Sequence, residues 1–158
     1  MRFLVTKELG TSAFLHYLLG ILTLFALLFL VTDIALHHYQ VGLTLDKAVA
    51  TLHGNDVTFE EPILFDVLLL QVHIDLFMSM FILLILAAMF IRLYEKSKHT
   101  KIWIHLLFIT GIISPLLLLL NYFLSNSMGI ALWIAFFMLW HMIAFYFCIK
   151  ILWKLYVQ

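Results

Sequence analysis

Four long apolar stretches, at about 13–36, 63–92, 102–124 and 129–150, constrain the fold of this chain more than any other feature. Each is long enough to cross roughly 30 Å of hydrocarbon at about 1.5 Å per helical residue. None shows the alternation of apolar and polar residues that is typical of membrane barrel strands, and only helices and closed barrels span a bilayer. We therefore predict an all-α integral membrane four-helix bundle that forms a single domain over residues 1–158.

The composition agrees with a membrane location and excludes several kinds of function. Hydrophobic residues make up 65% of the chain and charged residues only 11%, so the lipid bilayer is the expected partner. The formal net charge is zero, which gives no basic surface for nucleic acid. The single Cys148 excludes an internal disulfide and any Cys-x-x-Cys site. The chain also lacks the nucleophile elbow, phosphate loop and His-Glu-x-x-His motifs of self-contained hydrolases and kinases.

The Lys and Arg residues predict how the bundle is oriented. Eight of the nine lie before the first span, between the second and third spans, or after the fourth span. Only Lys47 lies in the 37–62 connection, where a short helix ending at Gly54 is also predicted. Because basic residues concentrate on the cytoplasmic side, both termini are predicted to be cytoplasmic and 37–62 to be an outer loop. A bacterial inner membrane is the expected location.

Eight histidines are a large number for so apolar a chain, and four of them lie one on each predicted span: His16, His73, His105 and His141. Ionisable residues inside spans are costly, so they usually face the bundle interior and indicate a function. His16 and His105 both lie roughly 5–6 Å inside the cytoplasmic ends of their spans. Two imidazoles at one depth on facing helices could ligate a haem iron.

The other two histidines, His73 and His141, indicate a second site. His141 lies roughly 12 Å from the cytoplasmic end, and it could replace His16 or His105 if the helix ends differ by a turn. His73 lies roughly 27 Å from that end and indicates an outer site whose second ligand is left open.

One histidine on each of four spans resembles the small diheme membrane cytochromes b, which are quinone-linked subunits. The resemblance implies that His16, His105, His73 and His141 bind one or two b haems between the helices. It also implies electron transfer to or from quinone, and assembly with another redox subunit or as a homo-oligomer. Whether the chain belongs to a quinone-linked oxidoreductase stays open.

The segment Gln-Val-His-Ile-Asp at 71–75 places Asp75 close to His73 in sequence but about 200° away on a helical wheel. Asp75 is therefore expected to face a neighbouring span, where it could transfer protons at an outer quinone site. Alternatively, Asp75 and His73 could simply form hydrogen bonds between helices. Asp33, near the outer end of the first span, is expected to reach the lipid headgroups.

Two functions without haem also remain open. His37 and His38 with Asp66 could form an outer copper or zinc site, because imidazole and carboxylate bind these ions. The protein would then transport or handle a transition metal. A third hypothesis is an accessory subunit of a respiratory membrane complex that has no cofactor of its own.

Overall fold

The computed structural model describes residues 13–94, 99–124 and 126–157 of the chain. These residues form five helices: α1 (Ala13–Gln40), α2 (Leu45–His53), α3 (Phe65–Leu93), α4 (Thr100–Phe123) and α5 (Ser127–Tyr156). All of them except the short α2 are long and apolar enough to cross a membrane. The predicted all-helical architecture with four apolar spans is therefore confirmed.

The helices extend beyond the predicted apolar stretches in two places. α1 continues to Gln40 and so takes in His37 and His38, which were predicted to begin the outer loop. It ends where Gly42 adopts a φ of +90° and donates its backbone N–H to the carbonyl of His37. α5 continues to Tyr156, beyond the predicted end at 150. A helix satisfies its own backbone hydrogen bonds, so polar residues at the end of an apolar run do not stop it.

The four long helices pack as a bundle with α1 and α4 at opposite corners. α4 and α5 form the most extensive pair, α3 packs against α4, and α1 packs against α5 and α3. α3 and α5 also meet across the centre, whereas α1 and α4 make no close backbone contact within the described ranges. The short α2 lies against α5 and α4. Any group shared by α1 and α4 would therefore have to reach past α3 or α5.

Two separate apolar cores fill the bundle, and a polar layer lies between them. The α2-side core consists of Val41, Ala48, Leu52, Leu68, Val72, Leu118, Ile130 and Trp133. The distal core includes Ala26, Leu30, Leu83, Leu86, Leu107, Ala144 and Phe147. Between these cores, each long helix carries polar side chains, and we call this set the polar layer: Asp33, His37, Gln71, Asp75, Ser79, Ser114 and His141.

The connection between α4 and α5 depends on a glycine. The Asn121 amide donates hydrogen bonds to the carbonyls of Leu117 and Gly129, at 2.8 and 2.9 Å. A Cβ atom at Gly129 would overlap the side-chain oxygen of Asn121. Gly129→Ala is therefore expected to lower the free energy of unfolding by about 1–3 kcal/mol, because overpacking displaces Asn121. Thermal unfolding in detergent measures this effect.

Met128→Ala is the matched control for this substitution. Met128 precedes Gly129 and its side chain is 77% exposed, so its truncation should change the melting temperature little. Equal melting temperatures for Gly129→Ala and the unaltered protein would show that the two helices do not pack this closely at Gly129.

Candidate metal centre

The polar layer contains a continuous chain of four ionisable side chains from three helices. Asp33 and His37 lie one turn apart on α1, so they share one face of that helix. His37 Nε2 is 3.0 Å from Asp75 Oδ2 on α3. His141 Nε2, on α5, is 3.1 Å from Asp33 Oδ2. Imidazole and carboxylate groups therefore alternate in the order Asp75, His37, Asp33, His141.

These four side chains are almost completely buried inside the bundle. The exposed fractions are 2% for His37, 1% for His141 and 10% for each aspartate. Charged groups so placed between apolar cores carry a desolvation cost that only pairing or a bound cation offsets. The sequence places two carboxylates here despite that cost, which favours a functional role over simple packing.

Hydrogen bonds outside the cluster fix the direction of both imidazole rings. His37 Nδ1 donates to the backbone carbonyl of Asp33 at 3.0 Å, and His141 Nδ1 donates to that of Phe137 at 2.8 Å. A carbonyl oxygen only accepts, so Nδ1 of each ring carries a proton in these contacts. Both Nε2 atoms consequently face the carboxylates. Histidines that bind metals show this arrangement, with the second nitrogen donating to a carbonyl or carboxylate.

Asp75 is oriented in a similar way by its own helix. Gln71, one turn earlier on α3, donates from its amide Nε2 to Asp75 Oδ1 at 2.7 Å. This hydrogen bond occupies one carboxylate oxygen and leaves Oδ2 directed at His37. The side-chain amide therefore holds the carboxylate in the position from which it could bind an ion.

Aromatic rings on α5 restrict the two imidazoles further. The Phe137 ring lies between them, with its centroid 4.5 Å from that of His37 and 4.3 Å from that of His141. The Trp140 ring covers His141 at a centroid distance of 4.1 Å. Rings packed at these distances leave little room for the histidines to rotate. The nitrogen donors are therefore held in place before any ion binds.

The spacing of the donor atoms suits one metal ion. Within the described ranges, Asp33, His37 and Asp75 are the one group of three or more such side chains that could share an ion, with donor atoms within 4.8 Å of one another. Zinc binds nitrogen and oxygen at about 2.0–2.2 Å in a tetrahedron, so two donors on one ion lie about 3.3–3.6 Å apart. The three side chains would have to move closer together to enclose an ion. His141 is outside this group of three, but its Nε2 lies 3.1 Å from Asp33 Oδ2.

A small cavity borders this cluster on the side of α4. It measures about 10 Å³, which is about the smallest volume that holds one water molecule. Asp33, His37 and Asp75 line one side, and Gly111, Ser114 and Pro115 of α4 lie in its wall. A haem does not fit in this space, whereas a single water molecule does.

Three of the residues singled out from the sequence meet in the polar layer: His37, Asp75 and His141. Asp75 points away from His73 and contacts His37 on α1. His141 lies near the middle of α5, deeper than predicted, because α5 extends past residue 150.

Five other residues singled out from the sequence lie outside the polar layer. His38, Asp66, His73 and His105 are exposed on the surface of the bundle, and His16 is half-buried on α1. The ring of His105 is hydrogen-bonded through Nδ1 to the carbonyl of Lys101 on its own helix, at 2.7 Å. The side chains of His38 and Asp66 are thus not directed toward His37, and the predicted outer metal site does not form as a group.

The predicted haem pair is not brought together either. His16 and His105 belong to the two helices at opposite corners of the bundle, and His105 faces outward. Gly20, one turn from His16, leaves no open space for a ring, because the Tyr156 hydroxyl occupies the position of a Cβ atom there. These residues do not fit a haem in this packing. Haem binding stays a prediction from the sequence.

Asp33 belongs to the polar layer, although its sequence position did not predict this. It was expected to reach the headgroups, but its carboxylate contacts both His37 and His141. The signal that could have found it is its spacing from His37, since an aspartate and a histidine four residues apart share a helix face. The same spacing joins Gln71 to Asp75.

The chain matches no protein-family model, no curated protein and no solved structure. A function must therefore be argued from the side chains of the polar layer. Their arrangement provides two imidazole nitrogens and two carboxylate oxygens from three helices, held by hydrogen bonds and ring contacts. Such a set of donors is suited to bind a divalent transition metal.

Proposed function

We propose that the protein binds one divalent transition-metal ion at the centre of its membrane-spanning bundle, through His37, His141, Asp33 and Asp75. The observation that carries this proposal is the orientation of the two histidines. Each donates from Nδ1 to a backbone carbonyl and presents Nε2 to a carboxylate. The Nδ1 contact alone is not distinctive, because the exposed His105 also makes it. At His37 and His141 it is combined with an Nε2 atom beside a carboxylate, as in histidines that bind metals.

The charge of the cluster indicates the charge of the ion. In the filled centre two carboxylates would carry two negative charges, and two imidazoles that bind the ion through Nε2 would be neutral. A divalent cation makes the filled centre electrically neutral, and neutrality is favoured between two apolar cores in a membrane. A monovalent cation would leave a net negative charge at the centre of the bundle.

The donor atoms also indicate the kind of metal. The polar layer offers nitrogen and oxygen, and Cys148 lies in the distal core instead. Monovalent copper prefers thiolate and thioether ligands, whereas imidazole with carboxylate suits zinc and the other divalent first-row ions. We therefore favour zinc, or divalent iron, manganese or cobalt, over monovalent copper.

With this metal centre, the protein would be a membrane protein that binds or transports a metal. A bacterial inner membrane is its expected location. The distribution of Lys and Arg supports cytoplasmic termini, which would place α2 and the Gly54 turn on the outer side. The polar layer would then lie within the bilayer. A b-type cytochrome that exchanges electrons with quinone, or an accessory subunit with no cofactor, are the competing proposals. One histidine on each span supports the first of these.

Metal content and an optical spectrum of the same sample test the proposal. The full-length protein, purified in mild detergent, would be loaded with Zn²⁺, desalted and analysed for metal and protein. We expect one zinc ion per chain and no Soret band after reduction with dithionite. A colourless protein that retains no zinc, cobalt, iron or manganese would overturn the metal centre. A stoichiometric Soret band would favour the cytochrome.

Gln71→Met tests the assignment of Asp75 as a ligand. The substitution keeps the length of the side chain but removes the amide that holds Asp75 Oδ1. Loss of such an orienting group is expected to weaken metal affinity about 10–100-fold. Competition with a chromophoric chelator measures the affinity. Gln40→Met, at an exposed position on α1, is the control and should leave the metal affinity unchanged. Unchanged affinity in Gln71→Met would show that the Gln71 amide does not position a ligand of the ion.

A further inference from the structure

The proposed metal centre has ligands on three sides and none on the fourth. α1 contributes Asp33 and His37, α3 contributes Asp75, and α5 contributes His141. α4 faces the same cavity only through Gly111, Ser114 and Pro115, none of which is ionisable. The cavity between α4 and the ligands measures about 10 Å³, so it has room for about one water molecule.

The α4 side of this cavity is nevertheless polar. Ser114 is 1% exposed, and its hydroxyl makes no hydrogen bond with any residue that the structure describes. Thr110, one turn earlier on the same helix, instead donates its hydroxyl proton to the Leu106 carbonyl at 2.8 Å. Buried hydroxyl groups almost always have a partner, which is commonly an ordered water molecule. The Ser114 hydroxyl therefore indicates a small polar ligand inside the cavity.

A second polar group on α4 supports the same conclusion. Pro115 has no backbone N–H, so the carbonyl of Gly111 lacks the donor that a helix normally supplies four residues later. Gly111 and Pro115 both lie in the cavity wall. A freed carbonyl in a membrane helix is tolerated where it meets a polar group or lines a cavity. On α4 the freed Gly111 carbonyl is thus a second group, beside the Ser114 hydroxyl, that a water molecule in the cavity could bind, and a buried water needs two to four such partners.

We propose that the metal centre keeps one coordination position open toward α4, and that a single exchangeable water molecule occupies it with a hydrogen bond to Ser114. This inference rests on the proposed metal centre. Structural zinc sites are closed by four protein ligands, whereas catalytic ones have three and keep a position for water or substrate. With four protein donors here, the water would be a fifth ligand, and the ion could exchange a ligand of water size. A metal ion also acidifies a water molecule bound to it.

The test uses full-length protein in detergent, loaded with Co²⁺ and prepared in water enriched in oxygen-17. Pulsed electron–nuclear double resonance detects oxygen-17 bound to the cobalt, because the protein oxygens are not enriched. We expect oxygen-17 coupling in the unaltered protein and its loss in Ser114→Val. In that variant two methyl groups stand where serine has one hydroxyl, which fills the cavity, while the Co²⁺ content should stay the same. Thr110→Val, which removes a hydroxyl outside the cavity, should retain the coupling.

The outcomes separate this inference from the metal centre itself. Bound Co²⁺ without oxygen-17 coupling in the unaltered protein would overturn the open position and leave the metal centre intact. Full coupling in Ser114→Val would also overturn it, because the water would then lie elsewhere. A protein that binds no Co²⁺ would overturn both proposals. The measurement on the unaltered protein decides the matter even if Ser114→Val fails to fold.

Discussion

His37→Ala is expected to abolish stoichiometric metal binding, with the affinity for Zn²⁺ falling more than about 100-fold. His37 would supply Nε2 directly to the ion, and its ring contacts carboxylates on both α1 and α3. Loss of a group that only orients a ligand costs about 10–100-fold in metal affinity, so loss of a ligand should cost more. Zinc content per chain and competition with a chromophoric chelator measure the effect.

His38→Ala is the matched control for this variant. His38 follows His37 on α1, but its side chain is exposed and contacts the Tyr39 ring instead of the polar layer. The His38→Ala protein should therefore bind one zinc ion with unchanged affinity. If both variants lost zinc to the same extent, the effect would not be specific to the centre. If His37→Ala kept its zinc, His37 would not be a ligand.

Asp75→Ala is expected to lower the free energy of unfolding of the metal-free protein by about 3–5 kcal/mol. Removing one partner of a buried pair leaves the other without compensation, which is strongly destabilising. Here the loss affects both His37 Nε2, at 3.0 Å, and the amide of Gln71, at 2.7 Å. Thermal or denaturant unfolding in detergent, followed by circular dichroism, measures the change.

Asp66→Ala and a double variant complete this experiment. Asp66 lies on the same helix as Asp75, but its side chain is exposed, so Asp66→Ala should melt close to the unaltered protein. A double variant, His37→Leu with Asp75→Leu, should recover part of the lost stability, because apolar replacement of a whole buried pair is often tolerated. If Asp75→Ala and Asp66→Ala melted at the same temperature, the Asp75 carboxylate would not be paired in the folded protein.

The four spans could be predicted because membrane thickness demands about 20 consecutive apolar residues, which few other structures require. The end of α1 at Gln40 was harder to predict, since His37, His38 and Tyr39 look like an interface beyond the apolar run. What stops α1 is the backbone at Gly42, which has a positive φ. Composition therefore located the spans better than it located their ends.

The composition of the centre could be predicted only in part. In a span that is apolar on every side, lipid-facing and core-facing positions look alike, so the inward face cannot be recognised from hydrophobicity. The sequence favoured His73 as the inward ligand and directed Asp75 toward a neighbouring span, and packing turns Asp75 inward and His73 outward. Pairs of polar residues on one helix face, such as Asp33 and His37, can be recognised from their spacing in the sequence. The meeting of α1, α3 and α5 depends on how whole helices pack.

The most direct test of the metal centre is the X-ray absorption spectrum of the Zn²⁺-loaded protein at the zinc edge. We predict a first shell of nitrogen and oxygen alone at about 2.0–2.2 Å, with outer-shell scattering from two imidazole rings. His37→Ala and His141→Ala should each lose zinc or one imidazole contribution. A sulfur shell at about 2.3 Å, or a spectrum unchanged by either substitution, would show that any bound zinc lies elsewhere.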